Sequence, residues 1–329
     1  MTKIITSYWS RIFPRASGNP FLSCCLRARR RLCHLMGDPR WVSRWANLLD
    51  SRRILPMLRQ HFDPKVPPVI NFELNTNCNY KCPFCPQSSK PRPVRHITTD
   101  AFRHIIVELK QLDYSNILVL NVNNEPFLHP LLVDFCRLIS QELPNAAAQI
   151  ITNGSLITIQ HLKALSELER PPLIIVDDYT PDHRINARLR SWITDPTFSR
   201  LHIILNSRSW NETLSNRAGN QPGGHVPLQD CRDISCSWPF YGLFINSDLK
   251  AFLCCSDYSY DMVVGDLHEQ GLMEIWMGEP LRNVRDAMLI PDRRRIPLCA
   301  KCDTTKVDWP KNIDDLGRGR HHKGRHGRL

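Results

Sequence analysis

The sequence predicts an α/β fold in which a partial, TIM-like (β/α) barrel is followed by a small C-terminal domain. Two observations predict it. Between residues 67 and 230 there are several apolar runs that suit buried strands, each followed by polar residues. A segment with helical periodicity lies between the first two runs. From residue 231 to residue 305 this alternation stops, and two apolar stretches around a polar turn lead to a further group of cysteines.

Five apolar runs supply the predicted barrel strands. They occupy residues 69–75, 117–122, 148–152, 173–176 and 201–205. Largely continuous apolar character of this kind is typical of parallel strands that are buried on both faces. Residues 100–112 carry apolar side chains at helical spacing and begin at Asp100, a residue type suited to an N-cap. Because the site of such a barrel lies at the carboxyl ends of its strands, the residues after each run are candidates for it.

The loop after the first strand carries Cys78, Cys82 and Cys85 in a C-x3-C-x2-C pattern, with Phe84 just before the last cysteine. A [4Fe–4S] cluster normally takes four thiolates, so three of them leave one iron open for an exogenous ligand. A zinc ion would need a fourth nitrogen or sulfur ligand, and the nearest candidate, His96, lies well past the motif. A disulfide cannot pair all three cysteines. The pattern therefore favours a cluster over zinc.

This cysteine motif, with Phe84 in its aromatic position, resembles that of the radical SAM superfamily. The resemblance implies that Cys78, Cys82 and Cys85 hold a [4Fe–4S] cluster whose open iron is chelated exchangeably by S-adenosylmethionine (SAM). In that family one electron from the cluster cleaves SAM and yields a 5′-deoxyadenosyl radical that abstracts hydrogen from the substrate. The resemblance also implies a partial barrel of the radical SAM type.

The segment after the second strand is similar to a further motif of that family. Asn123, Asn124, Glu125 and Pro126 align with a Gly-Gly-Glu-Pro segment that binds the methionine amino group through backbone and carboxylate oxygens. Both glycines are asparagine here, and asparagine tolerates unusual backbone angles better than most residues. The resemblance therefore predicts that Asn123, Asn124 and Glu125 contact SAM; the alternative is an ordinary loop glutamate after a strand.

Polar residues also follow the third and fourth strands. Asn153 belongs to a Thr-Asn-Gly turn that in the family helps to form the SAM pocket, and we assign it the same role. Asp177 and Asp178 end the fourth strand and are candidates to bind the ribose of SAM or hydroxyl groups of a substrate, with Asp177 the preferred one. Surface turns would also place Asp and Asn at such positions.

The second cysteine group resembles the C-terminal extension called SPASM, or its short form called twitch, which carries auxiliary iron–sulfur clusters. The resemblance implies that Cys236, Cys254, Cys299 and Cys302 are ligands, with Cys231 as a substitute for Cys236. Because no cysteine follows Cys302, one auxiliary [4Fe–4S] cluster is the limit. A structural zinc on the same four thiolates is the alternative, since such sites are common in zinc knuckles.

Cys255, next to the predicted ligand Cys254, is a candidate catalytic residue. A thiol S–H bond is weak enough to quench a carbon radical, so Cys255 could return a hydrogen atom in an epimerisation. The simpler alternative is a small buried side chain. A total of 13 cysteines with these two groupings indicates reduced thiols and a cytoplasmic location rather than a disulfide scaffold.

The formal net charge of +11 is concentrated at the two ends of the chain. Residues 1–37 contribute +7 and residues 317–329 contribute +5, which leaves the rest of the chain at −1. A near-neutral body offers no phosphate-tracking surface, so nucleic acid is not an expected partner. The acid-free residues 1–37 fit a transit peptide, a basic arm on an anionic membrane surface or a plain disordered extension. An accessory amphipathic helix, predicted for residues 41–61, completes the extension at residues 1–66, and residues 306–329 form a basic disordered tail.

The resemblance covers residues 67–303 and leads to a functional prediction. We expect SAM-dependent hydrogen abstraction from a small hydroxylated substrate, such as a sugar or aminocyclitol, followed by oxidation or epimerisation. A flavodoxin- or ferredoxin-type protein would donate the electron. The alternatives are a peptide- or protein-modifying radical SAM maturase and a non-catalytic iron–sulfur scaffold that no longer cleaves SAM.

Overall fold

The computed structural model describes residues 65–304 apart from 212–214 and 222–229, together with Leu55, Pro56, Leu58 and Arg59. All the elements below belong to one compact unit, Asp50–Leu329. The predicted basic extension at residues 1–66 and the basic tail at residues 306–329 lie almost entirely outside the described residues. None of the helices within the described part of the chain has both the length and the apolar character needed to cross a membrane.

One sheet of eight strands organises the described residues. The strands are β1 (Val69–Phe72), β2 (Ile117–Val119), β3 (Ala147–Thr152), β4 (Leu173–Asp178), β5 (His202–Ser207), β6 (Gly242–Ile245), β7 (Lys250–Phe252) and β8 (Val263–Asp266). Their order is β5–β4–β3–β2–β1–β6–β7–β8, so the sheet is open. β1 to β6 pair in parallel, whereas β7 and β8 pair antiparallel. The predicted α/β fold with a partial barrel is confirmed.

Four helices connect the first five strands, and four more lie in the C-terminal part. They are α1 (Thr99–Gln111), α2 (Leu132–Glu142), α3 (Ile159–Ser166), α4 (Arg184–Ile193), α5 (Trp238–Tyr241), α6 (Leu272–Met277), α7 (Glu279–Leu289) and α8 (Pro297–Ala300). The predicted cap of α1 is wrong. Thr98 caps this helix through its side chain, which accepts a hydrogen bond from the amide of Ala101, while Asp100 lies in the first turn.

The core lies between the sheet and the helices. The apolar face of α1 is fully buried, and the ring of Phe102 on that face meets Phe72 of β1 edge-on at 5.3 Å and stacks on Phe135 of α2 at 4.2 Å between ring centroids. Burial of aromatic side chains in this way contributes strongly to stability. The helices therefore hold the parallel strands firmly, which fixes the positions of the loops at their carboxyl ends.

Strand β6 joins the C-terminal part to the barrel sheet. It pairs in parallel with β1, from Val69 with Gly242 to Phe72 with Ile245, and it also forms the predicted antiparallel hairpin with β7. The sequence suggested only the hairpin. Because β6 pairs with strands of both parts, the boundary near residue 230 divides the sequence but does not separate two compact bodies. The predicted division into domains stays a prediction.

Leu249 lies in the β6–β7 turn and has an unusual backbone conformation. Its φ of 60° falls in the left-handed region, which is costly for a residue with a side chain. The side chain is nevertheless buried in the main core. Burial of the leucine side chain offsets the backbone cost and keeps the turn closed.

Candidate functional site

The loop that carries the first three cysteines returns to its own starting point. Asn75 and His96 form an isolated antiparallel bridge, and the amide of Ile97 donates to the carbonyl of Leu74 at 2.8 Å. Residues 76–95 therefore form a closed excursion from the carboxyl end of β1. Pinning both ends of a loop in this way restricts where its side chains can lie.

Within this loop the three cysteines are free thiols. The amide of Cys85 donates to the carbonyl of Cys82 at 2.9 Å, and the amide of Tyr80 donates to Sγ of Cys78 at 3.4 Å. Burial raises the pKa of the Cys78 thiol to about 11. Metal ligation requires the thiolate, so iron binding at Cys78 must displace its proton.

The turn after β3 reaches this cysteine loop, as the sequence predicted. Nδ2 of Asn153 lies 3.9 Å from Sγ of Cys78 and donates to Oδ1 of Asn79 at 2.9 Å. Gly154 makes the approach feasible, because its φ is +73° and a Cβ atom there would lie 2.6 Å from Cγ1 of Val176. Asn153 is therefore placed beside the first cysteine of the motif, and its contact with SAM stays a prediction.

Glu125 connects the loops after β2 and β3. Its buried carboxylate accepts hydrogen bonds from Oγ1 of Thr152 at 2.7 Å and from the amides of Asn153 at 2.9 Å and Phe127 at 3.1 Å. Burial raises the pKa of this carboxyl group, and the three donors oppose that effect. Glu125 thus holds the loops after β2 and β3 together, a role that the sequence analysis did not predict, and its contact with SAM stays a prediction.

The two asparagines that replace the family's glycines have ordinary backbone angles, since neither has a positive φ. Their side chains make specific contacts. Asn123 donates through Nδ2 to the carbonyl of Cys255 at 3.1 Å and accepts at Oδ1 from Arg217 at 2.9 Å. Asn124 donates to Oδ1 of Asn75 at 2.8 Å. The loop therefore survives the substitution and gains anchors that glycine could not provide.

The two aspartates at the end of β4 have different surroundings. The carboxylate of Asp178 is buried and accepts from the amides of Thr180 and Asn186, both at 2.9 Å. Asp177 is half-buried and meets the neighbouring strand, where Nδ2 of Asn206 donates to its Oδ1 at 3.0 Å. Asp178 is thus committed to local structure. Asp177 also pairs with Arg208 at 3.9 Å, and its contact with a ligand stays a prediction.

Phe84 lies against the residue that follows these aspartates. Its ring is 5.3 Å from the ring of Tyr179 between centroids, and Phe84 is buried. The aromatic residue of the cysteine motif therefore packs the first cysteine loop against the end of β4. A direct contact between Phe84 and SAM stays a prediction.

The second cysteine group surrounds a cavity. This cavity is partly open to solvent, and Cys236, Cys254, Cys299 and Cys302 all lie on its wall. Cys231 does not line it, and its thiol donates instead to the carbonyl of Asp303 at 3.3 Å. No three His, Cys, Asp or Glu side chains of the described ranges are grouped around one point as ligands of a single ion. The cavity and its four cysteines fit an iron–sulfur cluster, in which each thiolate binds a different iron.

A strained turn lies beside this cavity. Arg217, Ala218 and Gly219 have φ values of 46°, 53° and 87°, so two residues with side chains adopt the left-handed conformation. Asn216 holds the turn in place: its Nδ2 donates to the carbonyl of Lys301 at 2.7 Å, and its amide donates to Oδ1 of Asp303 at 2.8 Å. The strained backbone is therefore fixed to the Cys299–Cys302 segment and presents Arg217 to Asn123.

One buried network was not foreseen from the sequence. Arg92, in the first cysteine loop, forms an ion pair of 2.7 Å with the fully buried Glu73 and lies 4.2 Å above the ring of Tyr258. The hydroxyl of Tyr260 contacts both charged groups. The isolated Arg and Glu gave no sequence signal, because their pairing depends on the C-terminal segment that folds over them. This network joins the first cysteine loop to the segment after Cys254.

Comparison with known families agrees with this geometry. Residues 72–203 match the model of the radical SAM superfamily, and residues 236–303 match the SPASM model, described as an iron–sulfur cluster-binding domain. The chain therefore carries a radical SAM domain followed by a SPASM domain. A radical SAM protein of this type uses a [4Fe–4S] cluster with SAM, and its SPASM domain implies an auxiliary iron–sulfur cluster.

Related proteins span nearly the same length as the matched region. This radical SAM protein is 24% identical over 247 residues to the S-adenosyl-L-methionine-dependent 2-deoxy-scyllo-inosamine dehydrogenase of Niallia circulans, covering 75% of this chain and 96% of that protein. The fold of the present chain is similar to the crystal structure of BtrN in complex with AdoMet and 2-DOIA (TM-score 0.64, 23% identity, covering 76% of this chain and 98% of that chain). It is also similar to BtrN in an open conformation (TM-score 0.56, 20% identity, 75% and 99%).

Proposed function

We propose that this protein is a SAM-dependent dehydrogenase that oxidises a hydroxyl-bearing carbon of a small cyclic substrate, with an aminocyclitol as the preferred class. One observation carries the proposal. The alignment with the 2-deoxy-scyllo-inosamine dehydrogenase covers 96% of that protein, so the relative consists almost entirely of the two modules described above. A separate domain for peptide recognition is therefore not part of the shared architecture, which favours a small molecule over a peptide.

The residues for each cofactor follow from the site. Cys78, Cys82 and Cys85 would hold the first cluster, and Asn123, Asn124, Glu125 and Asn153 lie in the loops after β2 and β3 that would bind SAM. Phe84, packed on Tyr179, and Asp177 at the end of β4 are the remaining candidates for contact with SAM or the substrate. When bound, the first cluster and SAM together supply a one-electron oxidant that removes a hydrogen atom from carbon. A flavodoxin- or ferredoxin-type protein provides the electron that this step consumes.

The four-cysteine cavity accounts for the second half of the oxidation. Conversion of an alcohol to a ketone removes a hydrogen atom from carbon, a proton from oxygen and one further electron. Cys236, Cys254, Cys299 and Cys302 would hold a cluster able to accept that electron, while the 5′-deoxyadenosyl group would take the hydrogen atom and solvent the proton. A single auxiliary cluster is sufficient for this stoichiometry.

Epimerisation is the second candidate, and one observation favours it. Cys255 adjoins the auxiliary ligand Cys254, and its carbonyl is held by the SAM-site residue Asn123. A thiol at that place could return a hydrogen atom to carbon, in which case no electron would have to leave the substrate. The thiyl radical left on Cys255 would regain one electron from the flavodoxin- or ferredoxin-type donor and one proton from solvent. The non-catalytic alternative receives less support, because Asn123 and Asn124 retain ordinary backbone angles in the loop that the family uses for SAM.

The test uses the full-length chain, reconstituted anaerobically with iron and sulfide, then supplied with dithionite, SAM and 2-deoxy-scyllo-inosamine deuterated at its hydroxyl-bearing carbons. We expect equimolar 5′-deoxyadenosine and ketone, with deuterium transferred to the 5′-deoxyadenosine. A product of unchanged oxidation state that carries solvent hydrogen, and is lost in Cys255→Ala, would establish epimerisation instead. Turnover of peptides but of no cyclitol or sugar would contradict the substrate class.

A further inference from the structure

Arg293 is a buried cation next to the auxiliary cavity. Only 1% of the residue is exposed. Its guanidinium group donates to three main-chain carbonyls: Nε to Ile234 at 2.7 Å, Nη2 to Ser235 at 3.1 Å and Nη1 to Thr304 at 2.9 Å. The hydrogen-bonding capacity of the group is thus largely satisfied, but its charge is not neutralised by these neutral acceptors.

Buried charges in proteins are normally paired with a charge of opposite sign. Among the residues that the structure describes, no carboxylate lies within ion-pair distance of Arg293. The cysteines adjoin the segments that hold the guanidinium group: Ser235 directly precedes Cys236, and Thr304 lies two residues past Cys302. A negative partner for Arg293 is therefore expected on the side of the cysteines.

The three carbonyls also place Arg293 between the two ends of the ligand set. Ile234 and Ser235 immediately precede Cys236, and Thr304 closely follows Cys302. The segments that carry Cys236 and Cys302 are 66 residues apart in sequence, and the side chain of Arg293 holds both of them. Arg293 thus touches the backbone on both sides of the site without occupying the cavity wall.

We propose that Arg293 is the buried counter-charge of the auxiliary cluster and that it raises the reduction potential of this cluster. A four-iron cluster with four thiolates is negatively charged, and it becomes more negative when it gains an electron. A fixed cation in a low-dielectric site stabilises the more negative state, so reduction becomes easier. Arg293 is in this sense a positioning residue for electron transfer rather than a group that contacts the substrate.

This inference rests on the proposed function, because it requires that the second cysteine group holds an iron–sulfur cluster. In the oxidation described above, the substrate radical loses one electron and the hydroxyl proton goes to solvent. A higher reduction potential of the acceptor favours that electron transfer. Without the cation the electron would leave the substrate less readily, although SAM cleavage at the first site would be unaffected.

The experiment measures the auxiliary cluster alone in the full-length chain, in which Cys78, Cys82 and Cys85 are replaced by alanine. This parent is compared with Arg293→Gln, which removes the charge, and Arg293→Lys, which keeps it. The matched control is Arg294→Gln: Arg294 is the next residue, but it is exposed and pairs with Asp233 at 2.6 Å. Iron per chain and the midpoint potential, followed by electron paramagnetic resonance, are the readouts.

We expect Arg293→Gln to lower the ratio of reduced to oxidised cluster about tenfold at the parent's midpoint, which is a downward shift of about 59 mV for one electron. Arg293→Lys and Arg294→Gln should stay within about twofold of the parent. If Arg293→Gln takes up no cluster but Arg293→Lys does, the charge is required for assembly and the proposal stands.

A parent-like potential in Arg293→Gln would overturn the proposal. So would equal shifts, or equal loss of iron, in the Gln and Lys variants, since the hydrogen-bonded clamp rather than the charge would then matter. The iron and sulfide content of the parent tests the proposed function separately from the role of Arg293. If the parent binds no iron and sulfide, the auxiliary cluster of the proposed function is refuted at that point, before any Arg293 variant is considered.

Discussion

The side chain of Asn123 donates a 3.1 Å hydrogen bond to the main-chain carbonyl of Cys255, which ties the loop after β2 to the segment that bears Cys254. Arg217 donates to the same asparagine at 2.9 Å. Asn123 therefore provides one of the links between the two cysteine groups, at a position where the family carries glycine. The Arg92–Tyr258 contact and a weaker bond of 3.4 Å from Arg217 to the same carbonyl are further links.

Asn123→Gly should reduce ketone formation about tenfold, because the loss of one or two partly buried hydrogen bonds is worth about 1 kcal/mol. The formation of 5′-deoxyadenosine without substrate should change by less than about twofold. The backbone of residue 123 has no positive φ and accepts either amino acid. Asn124→Gly is the comparison, since Asn124 bonds to Asn75 and not to the C-terminal segment. Equal effects of the two substitutions would show that the link to Cys255 has no special role.

Ligand assignment at the second site can be decided by counting iron. The reconstituted wild-type chain should contain about eight irons. Cys236→Ser should lose about four of them and retain SAM cleavage, whereas Cys231→Ser should retain all of them, because Cys236 lines the cavity and the thiol of Cys231 donates to Asp303. The reverse result would make Cys231 the ligand, and zinc without labile sulfide in both proteins would contradict a cluster altogether.

The Glu73–Arg92 pair should be important for stability. Glu73→Gln leaves the guanidinium of Arg92 without its carboxylate partner in a buried network, which typically costs about 3–5 kcal/mol in the free energy of unfolding. The exposed pair of Arg95 and Asp248 is the matched control, and Arg95→Gln should cost less than about 1 kcal/mol. Urea unfolding of the metal-free chain measures both; similar midpoints for the two variants would argue against a buried ion pair.

His129 should make stability depend on pH. Burial lowers the pKa of its imidazole from 6.5 to about 4, with a further contribution from the adjacent His96. Since the folded value is below the unfolded one, the stabilising contribution is complete above pH 6.5 and is lost as the pH falls towards 4, by an amount on the order of 2 kcal/mol after allowance for solvent screening.

The substitution His129→Asn tests this dependence, because an asparagine oxygen can still accept from the amide of Leu131 as Nδ1 of His129 does. Unfolding free energies between pH 4 and 6.5 should become flatter in this variant. His202, which is exposed on β5, provides the control, and His202→Asn should leave the profile unchanged. A wild-type slope in His129→Asn would mean that other groups cause the pH dependence.

The sequence predicted the barrel and its cysteine loop well because these features depend on local signals. Continuous apolar runs marked β1 to β5, and the C-x3-C-x2-C spacing marked the first site without reference to distant residues. The hairpin of β6 and β7 was equally local. The predicted N-cap of α1 failed by a short distance only, since Thr98 and Asp100 are both good capping residues and position alone decides between them.

Long-range relationships could not be predicted in the same way. The parallel pairing of β6 with β1, the Glu73–Arg92–Tyr260 network and the position of Arg293 each join segments that are far apart in sequence. An arginine or glutamate carries no mark of burial in the sequence, because its environment is created by the elements that pack around it. The roles of Asn123 and Asn124 were similarly hidden, since a departure from the family motif does not reveal which partner the new side chain finds.

The pairing of β1 with β6 has a consequence for biosynthesis. Asn71 and the carbonyl of Leu243, which meet across this pair, are 172 residues apart. While the ribosome is still producing the intervening chain, β1 can pair on one side only, and its other edge stays open to unwanted strands. The first cysteine loop leaves β1 at that same stage, before the segment that covers it exists. Delivery of iron and sulfide is therefore best matched to the released, completed chain, and cells that make this protein have reason to shield its nascent form from oxygen and aggregation.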